Sequence, residues 1–597
     1  MCGIAGWVGP GARTKVESMI SVVEHRGPDG GGIYAADNVS LGHRRLAILD
    51  LSKDGSQPMA RGPITVVFNG EIYNYIELRS QLEMGGHRFR SSSDTEVLLA
   101  AYETWGTGCV ERFDGMWSFA LHDPSRNLLF CSRDRFGEKP FLFNCGPDYF
   151  AFGSEAKQLR RVGLGLAADA VSVHQYLTFG RPLLDDSTFY RGISALPPGH
   201  NMLVDIDTLD VETVRYYRPG EMGLFDDVGK GDLPEVFRAE IGRSISNRLR
   251  SDVSVGVLLS GGVDSSLIAS LAGPEYFEKT GSRMKAVTAI TGDPQNDEST
   301  FAQSVARSSH LEWIPVSVNR SEAREGWVEA TSVIEQPLGS SSSVMQLRVM
   351  QHAKRQGIKV LLDGQGADES WLGYPRYLVW ASRHVSPARR WQFERAAADR
   401  ASLTMGQLLT NRAYFGHSWV AAGRQMLRNR SVGLAAPIRS TIRGQRGTIP
   451  AVRAPLADLQ RHEIQGQQLG QLLRHADLTS MSVSIEDRLP FLDYRLVELA
   501  LSVSVDTLFF GGWSKWLLRA QLAEAAGPDV AFRRKKIGFE AHSGSFDPSD
   551  RRVRQAIHDS AILREMGLKS KGIRASPLLM WRLFSVGLWE AVCDVRA

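Results

Sequence analysis

No apolar run in the chain approaches the ~18 residues that a membrane-spanning helix needs, so no membrane partner is expected. The start of the chain shows no basic segment followed by an apolar one, and no secretory signal is read from it. Cysteine is scarce. Cys2, Cys109, Cys131, Cys145 and Cys593 are an odd five at spacings that fit no zinc site. That excludes a disulfide framework and points to a reducing, cytoplasmic setting. Charge of one sign is also missing. The 70 basic and 66 acidic residues leave a net +4, a poor footing for nucleic acid, and basic runs such as 243–250 and 533–536 read as solvated faces. What is there is an ordinary globular composition, 43% hydrophobic and 23% charged, over 597 residues. That length is too great for one core, so at least two domains are expected.

The most informative stretch is Val255-Gly256-Val257-Leu258-Leu259-Ser260-Gly261-Gly262-Val263-Asp264-Ser265-Ser266. It reads as a buried strand, a glycine turn and a helix start. Adjacent glycines let backbone N–H groups converge, and the helix N-terminus adds partial positive charge, which together make a phosphate cradle. No Gly-Lys-Ser/Thr follows, so it is not the Walker pattern. The turn resembles the SGGxDS loop of ATP pyrophosphatases. That resemblance implies binding of ATP and its leaving pyrophosphate by Leu258, Ser260, Gly261, Gly262, Asp264, Ser265 and Ser266.

The chain opens Met1-Cys2-Gly3-Ile4-Ala5-Gly6. Removal of Met1 would leave Cys2 with its own α-amine as the base for its thiol. Four later stretches supply what glutamine hydrolysis needs: residues 24–30, Gly42-His43-Arg44-Arg45, Phe68-Asn69-Gly70-Glu71 and Ser93-Asp94. An arginine clamps the substrate carboxylate, a carboxylate holds its ammonium, and an amide beside a glycine N–H stabilises the oxyanion. These stretches resemble the class II, N-terminal-nucleophile glutamine amidotransferase domain. The resemblance runs on through Phe113-Asp114-Gly115, Arg133-Asp134-Arg135-Phe136-Gly137-Glu138-Lys139-Pro140 and Phe152-Gly153-Ser154-Glu155. It implies Cys2 as nucleophile and Arg45, Glu71 and Asp94 as glutamine ligands. Asn69 and Gly70 then form the oxyanion hole and also touch glutamine. His25 and His43 are read as structural hydrogen-bonding residues rather than as partners of the thiol.

Beyond the glycine turn, strands and helices alternate as in a parallel sheet with crossovers. Strands are expected at 285–291, 311–318 and 359–362. The last ends in a second glycine turn, Asp363-Gly364-Gln365-Gly366-Ala367-Asp368-Glu369. Asp264 and Asp368 are candidates to hold Mg²⁺, which prefers a few carboxylates plus phosphate oxygens. Residues 474–493, Ser514-Lys515-Trp516-Leu517-Leu518-Arg519 and 534–539 resemble the C-terminal part of glutamine-hydrolysing asparagine synthetases. The resemblance then covers nearly the whole chain. It implies ATP or pyrophosphate contacts from Ala289, Asp363, Gly364 and Lys515, and an adenylate-forming role for Gln365 and Asp368. It also implies an internal passage for ammonia.

The expected fold is α/β and α+β in two domains. Residues 2–210 form an antiparallel αββα sandwich and 211–232 a linker. Residues 233–597 form a nucleotide-binding parallel-sheet domain with a helical extension. The expected reaction uses glutamine, ATP and aspartate, with ATP and Mg²⁺ at the second site. One departure stands out. Gln365 occupies a position that is glutamate in many family members, so charge is lost there. The arginine- and alanine-rich tract 380–453 would shape a pocket for a larger acid. A different carboxylate acceptor therefore stays open as a second reading, and a non-catalytic scaffold as a third. Oligomeric state is left open, a homodimer included.

Overall fold

The computed structural model describes residues 2–180, 186–290, 297–416, 454–534, 546–567 and 576–597. The expected removal of Met1, residues 417–453 of the arginine-rich tract and residues 535–539 of the last quoted motif lie outside them.

The first strands are β1 (Gly3–Val8), β2 (Gly30–Ala36), β3 (Val39–Arg45), β4 (Met59–Arg61), β5 (Ile64–Ile72) and β6 (Gly115–Asp123). Then come β7 (Leu128–Arg133), β8 (Leu142–Cys145), β9 (Phe150–Gly153), β10 (Ser194–Ala195), β11 (His200–Asp205) and β12 (Val211–Arg215). They build two antiparallel six-stranded sheets, ordered β10-β8-β9-β1-β3-β2 and β12-β11-β7-β6-β5-β4. Ile4, Leu41, Val67, Ala120 and Leu129 pack between the sheets. Val66 and Phe68, their alternate neighbours on β5, face α2 (Tyr75–Met84) and α3 (Asp94–Trp105). Ala5 and Trp7 face α1 (Ala12–Ser21) on the other side. With both faces of each sheet covered, central strands are apolar almost throughout, which is why β5 opens Ile-Thr-Val-Val-Phe. This is the αββα sandwich that the sequence leads one to expect. Residues 211–215, assigned to the linker by sequence, form the outer strand β12 and pair with β11. Exposure at all five positions, Val211-Glu212-Thr213-Val214-Arg215, makes an edge strand look like a loop.

The second sheet system is parallel: β13 (Val255–Leu258), β14 (Lys285–Ile290), β15 (Glu312–Ser317), β16 (Val360–Leu362) and β17 (Glu486–Arg488), in the order β15-β14-β13-β16-β17. The chain runs outward from β13 to β15, then returns to β16 on the other side. Ligands of open α/β sheets bind at such a switch, outside the carboxyl ends of the strands. Both glycine turns follow these two neighbouring strands.

The two halves share buried surface. The helix Pro577–Cys593 lays Leu583, Val586 and Trp589 into the cluster that holds Trp7, Val16 and Tyr176. Arg26 is completely buried and ion-paired to Glu155 on its own side and Asp477 on the other, each at 2.9 Å. Among the described residues, no helix is long and apolar enough to cross a membrane.

Candidate active sites

Cys2 sits at the mouth of β1, and a small pocket beside it is lined by Arg45, Gly70, Glu71, Asp94 and Thr95. β3 ends at Arg45, whose guanidinium is held on the carbonyls of Ser52 at 2.7 Å and of Asp50. β5 supplies three residues in a row. Asn69 accepts from the Cys2 backbone N–H at 2.9 Å. Gly70 lies so close to β6 that a Cβ would meet the Met116 carbonyl at 2.1 Å. Glu71 lines the pocket. Asp94 opens α3 behind its N-cap Ser93 and accepts from the Ile72 N–H at 2.9 Å. The residues predicted for glutamine chemistry are therefore brought together around one thiol.

Electrostatics in this pocket follow from burial. Burial pushes the Cys2 thiol up, with Glu486 adding to the shift and Arg45 opposing it. Burial raises Asp94 from 3.8 to about 6, against the pull of the Ile72 N–H. Glu71 is held well above the usual carboxylate range by burial, Glu486 and Asp94. His43 is fully buried, depressed to about 3 by desolvation, and 3.2 Å from the Phe68 carbonyl. It is a neutral donor to that carbonyl. His25 sits 3.0 Å from Glu155. Both histidines are engaged structurally.

The second site is a cavity of about 370 Å³. Ser260, Gly262, Asp264, Ser265, Asp363, Gly364, Gln365, Asp368 and Lys515 all line it. In the first turn Gly261 has φ +82°, and a Cβ there would meet the Glu298 carbonyl at 2.7 Å. Only glycine takes that conformation without strain. Ser260 and Ser265 hydroxyls meet at 3.0 Å across the turn. The turns touch: a Cβ on Gly364 would lie 3.1 Å from Asp264 Cβ. The Lys515 ammonium bridges Asp264, at 2.6 Å, and Asp368, at 2.5 Å, from a residue with φ +56°. These two carboxylates hold its pKa up against burial.

Two carboxylates sharing one cation position beside a phosphate cradle are the donor set Mg²⁺ takes when phosphate oxygens and water complete its shell. Asp264 and Asp368 fit it. Among the described residues no group of three or more His, Cys, Asp or Glu converges as a protein-only metal site.

Leu258, Gly261, Ala289 and Ser266 are not brought to the cavity wall. Leu258 and Ala289 pack against the cluster of Val287 and Val316, and Ser266 is fully buried in α4 (Val263–Thr280). Conversely, the structure adds residues that sequence reasoning passed over. Arg519 and Arg533 line the cavity, and Arg533, read from the sequence as part of a solvated run, is instead ion-paired to Glu298 at 2.7 Å, while Arg248 in the other such run is buried. Arg519 follows Lys515 by four positions, and that helical spacing was the available signal. Glu486 and Arg488, from the edge strand of the parallel sheet, reach the first pocket, where Arg488 approaches Glu71 at 3.5 Å. No local pattern announces that contact.

Comparisons with known proteins follow the same division. A model of a glutamine amidotransferase domain matches residues 1–217. A model of asparagine synthase matches residues 236–577. Asparagine synthetase [glutamine-hydrolyzing] 1 of Bacillus subtilis is 29% identical over 566 residues, covering 90% of this chain and 87% of that protein. A putative asparagine synthetase [glutamine-hydrolyzing] of Mycobacterium tuberculosis is 29% identical over 577 residues, 90% of this chain and 85% of its own. A putative asparagine synthetase of Methanocaldococcus jannaschii is 31% identical over 407 residues, 63% of this chain and 76% of its own.

Proposed function

The chain belongs to the asparagine synthase family of glutamine-dependent amidotransferases, and from that premise we propose that it makes L-asparagine from aspartate, glutamine and ATP. The Cys2 thiolate attacks the glutamine side-chain amide. Asn69 and the Gly70 N–H stabilise the oxyanion, a contribution of ~3 kcal/mol per donor. Arg45 binds the glutamine carboxylate, and Glu71 and Asp94 hold the ammonium. Collapse gives a thioester and ammonia, and water then releases glutamate.

At the second site the β-carboxylate of aspartate attacks the α-phosphorus of ATP. The turn 260–266 takes the leaving pyrophosphate. Lys515 neutralises the charge that develops on it, a stabilisation that is largest where water is excluded. Asp264 and Asp368 are the residues that would hold Mg²⁺, which when bound screens the phosphate oxygens. Ammonia then displaces AMP from the acyl-adenylate.

The observation that carries this reading is the pairing of two distinct side-chain sets in separate pockets of one chain. One feature favours a second reading with another acceptor. Gln365, an uncharged amide, spends its Nε2–H on Asp363 at 2.9 Å, so this position offers the acceptor no charge. Pyrophosphate release with ATP, Mg²⁺ and glutamine, measured with and without aspartate and with products identified by mass, separates the two. Aspartate-dependent AMP and asparagine support the first. Glutamine hydrolysis without aspartate-dependent pyrophosphate transfers the same machinery to a different carboxylic acid.

A further inference from the structure

Five buried side-chain oxygens without any hydrogen-bond partner fall in one zone: both of Glu138, both of Asp487 and Oε1 of Gln365. Glu138 and Asp487 are 4% and 3% exposed. A buried oxygen left unpaired costs about 1–3 kcal/mol, so five in one zone ask for a small donor that the protein itself does not supply.

The zone lies between the two pockets. β17 is the edge strand, paired to β16 as Leu361↔Asp487. Successive side chains of a strand point to opposite faces. Glu486 and Arg488 take the side of Glu71 and Cys2, whose ionisation Glu486 perturbs. Asp487 takes the other and is influenced by Asp363, Lys139 and Glu138. Asp363 is the residue that holds Gln365 at the wall of the ATP cavity. Lys139, Glu138's neighbour, is directed to Asp477 at 4.0 Å rather than to either orphaned carboxyl. A file of unpaired acceptors thus runs from the seam of the two halves to the adenylate site.

We infer that Glu138 and Asp487 are hydrogen-bonding stations for ammonia crossing between the sites, and that the Gln365 carbonyl receives one of its N–H bonds at the adenylate. The inference rests on the proposed amide-ligase reading. Burial holds both carboxyls well above their ordinary range, which favours the form with one donor and one acceptor face. A neutral carboxyl pairs with ammonia and lets it go. An ionised carboxylate would offer acceptors only, with no donor for the nitrogen lone pair. The Gln365 amide is held by Asp363, which leaves its oxygen to orient the nitrogen lone pair toward the acyl carbon.

The test is the number of amides formed per glutamine hydrolysed, in Asp487→Leu, Asp487→Asn, Glu138→Leu and Glu138→Gln, beside ammonia-dependent pyrophosphate release. The Leu variants should lose at least half of the coupling while glutaminase and ammonia-dependent synthesis stay within about twofold of the parent. Asn and Gln keep neutral donor and acceptor faces and should restore coupling. Unchanged coupling in both Leu variants overturns the inference. So does failure of Asn or Gln to restore it, which would assign the role to charge. Melting temperatures identify a variant that has lost its fold, and the Asn and Gln pair then decides alone. A parent chain without ammonia-dependent pyrophosphate release would defeat the proposed function instead, before any variant is compared.

Discussion

At the scale of the residue, chemistry depends on side chains whose ionisation the fold has moved. Asp94 titrates at about 6, because burial penalises its charge. The folded value lies above the ordinary 3.8. The neutral form therefore favours folding: its contribution is complete below about pH 4 and lost as pH rises through 6. In the proposed reaction glutamine binding wants the opposite form, since only the carboxylate pairs with the substrate ammonium. The KM for glutamine should accordingly rise as pH falls through 6, approaching tenfold per unit, and Asp94→Asn should raise KM and remove that limb. The same variant should stabilise the ligand-free protein at pH 7.5, on the order of 1–3 kcal/mol, read as a higher melting temperature. Cys2→Ala should abolish glutamine-dependent amide formation while ammonia-dependent synthesis survives within about twofold. Lys515→Met leaves Asp264 and Asp368 facing each other without their cation. Adenylate formation should fall by about 10²-fold or more, with glutaminase unaffected, as pyrophosphate release and glutamate release measured side by side will tell.

At the scale of the element, the two glycine turns were legible because their demand is local. A strand that must end in a positive-φ residue and start a helix writes Gly into the sequence, as Gly261 and Gly366 illustrate with φ +82° and +89°. Gly261→Ala should impair pyrophosphate release by at least tenfold while glutaminase persists. A Cβ there meets backbone of 298 and 302 at 2.7 and 2.9 Å, which cannot move aside like a side chain. Equal losses at both sites would instead assign the glycine to global stability. The apolar strands β13 and β16 were also readable. β17 was not: Glu-Asp-Arg is three charged residues, yet every one is buried. Glu486 and Arg488 pair with each other at 2.6 Å, but their strand pairing and desolvation come from elements more than 100 positions away, such as β16 and Glu71, which no local window of sequence contains. β12 fails in the converse way, because an exposed edge carries little hydrophobic pattern.

At the scale of the whole molecule, the same limit applies to the seam. The sequence announces two chemistries in order, and it does not say how they are joined. Arg26 joins them. Its Nε donates to the Cys2 carbonyl at 2.9 Å and its fork grips Asp477, carried by the helix Gln467–Met481. Leu472 on that helix lines the second cavity, so one helix borders that site and reaches the first through Arg26. Asp477→Ala should cost about 3 kcal/mol by stripping one partner from a buried guanidinium that keeps Glu155. Its denaturant midpoint should drop with the slope unchanged, since the surface exposed on unfolding is the same.

In the proposed reaction, nitrogen freed at Cys2 is used at the adenylate without mixing with solvent. Glutamine labelled with ¹⁵N in its amide, supplied with ATP, Mg²⁺, aspartate and excess unlabelled ammonium, tests this in one mass spectrum. The predicted result is asparagine whose amide nitrogen is predominantly ¹⁵N, with one AMP per amide. Asparagine carrying solvent nitrogen in proportion to the ammonium pool, or AMP formed with no amide at all, would contradict it.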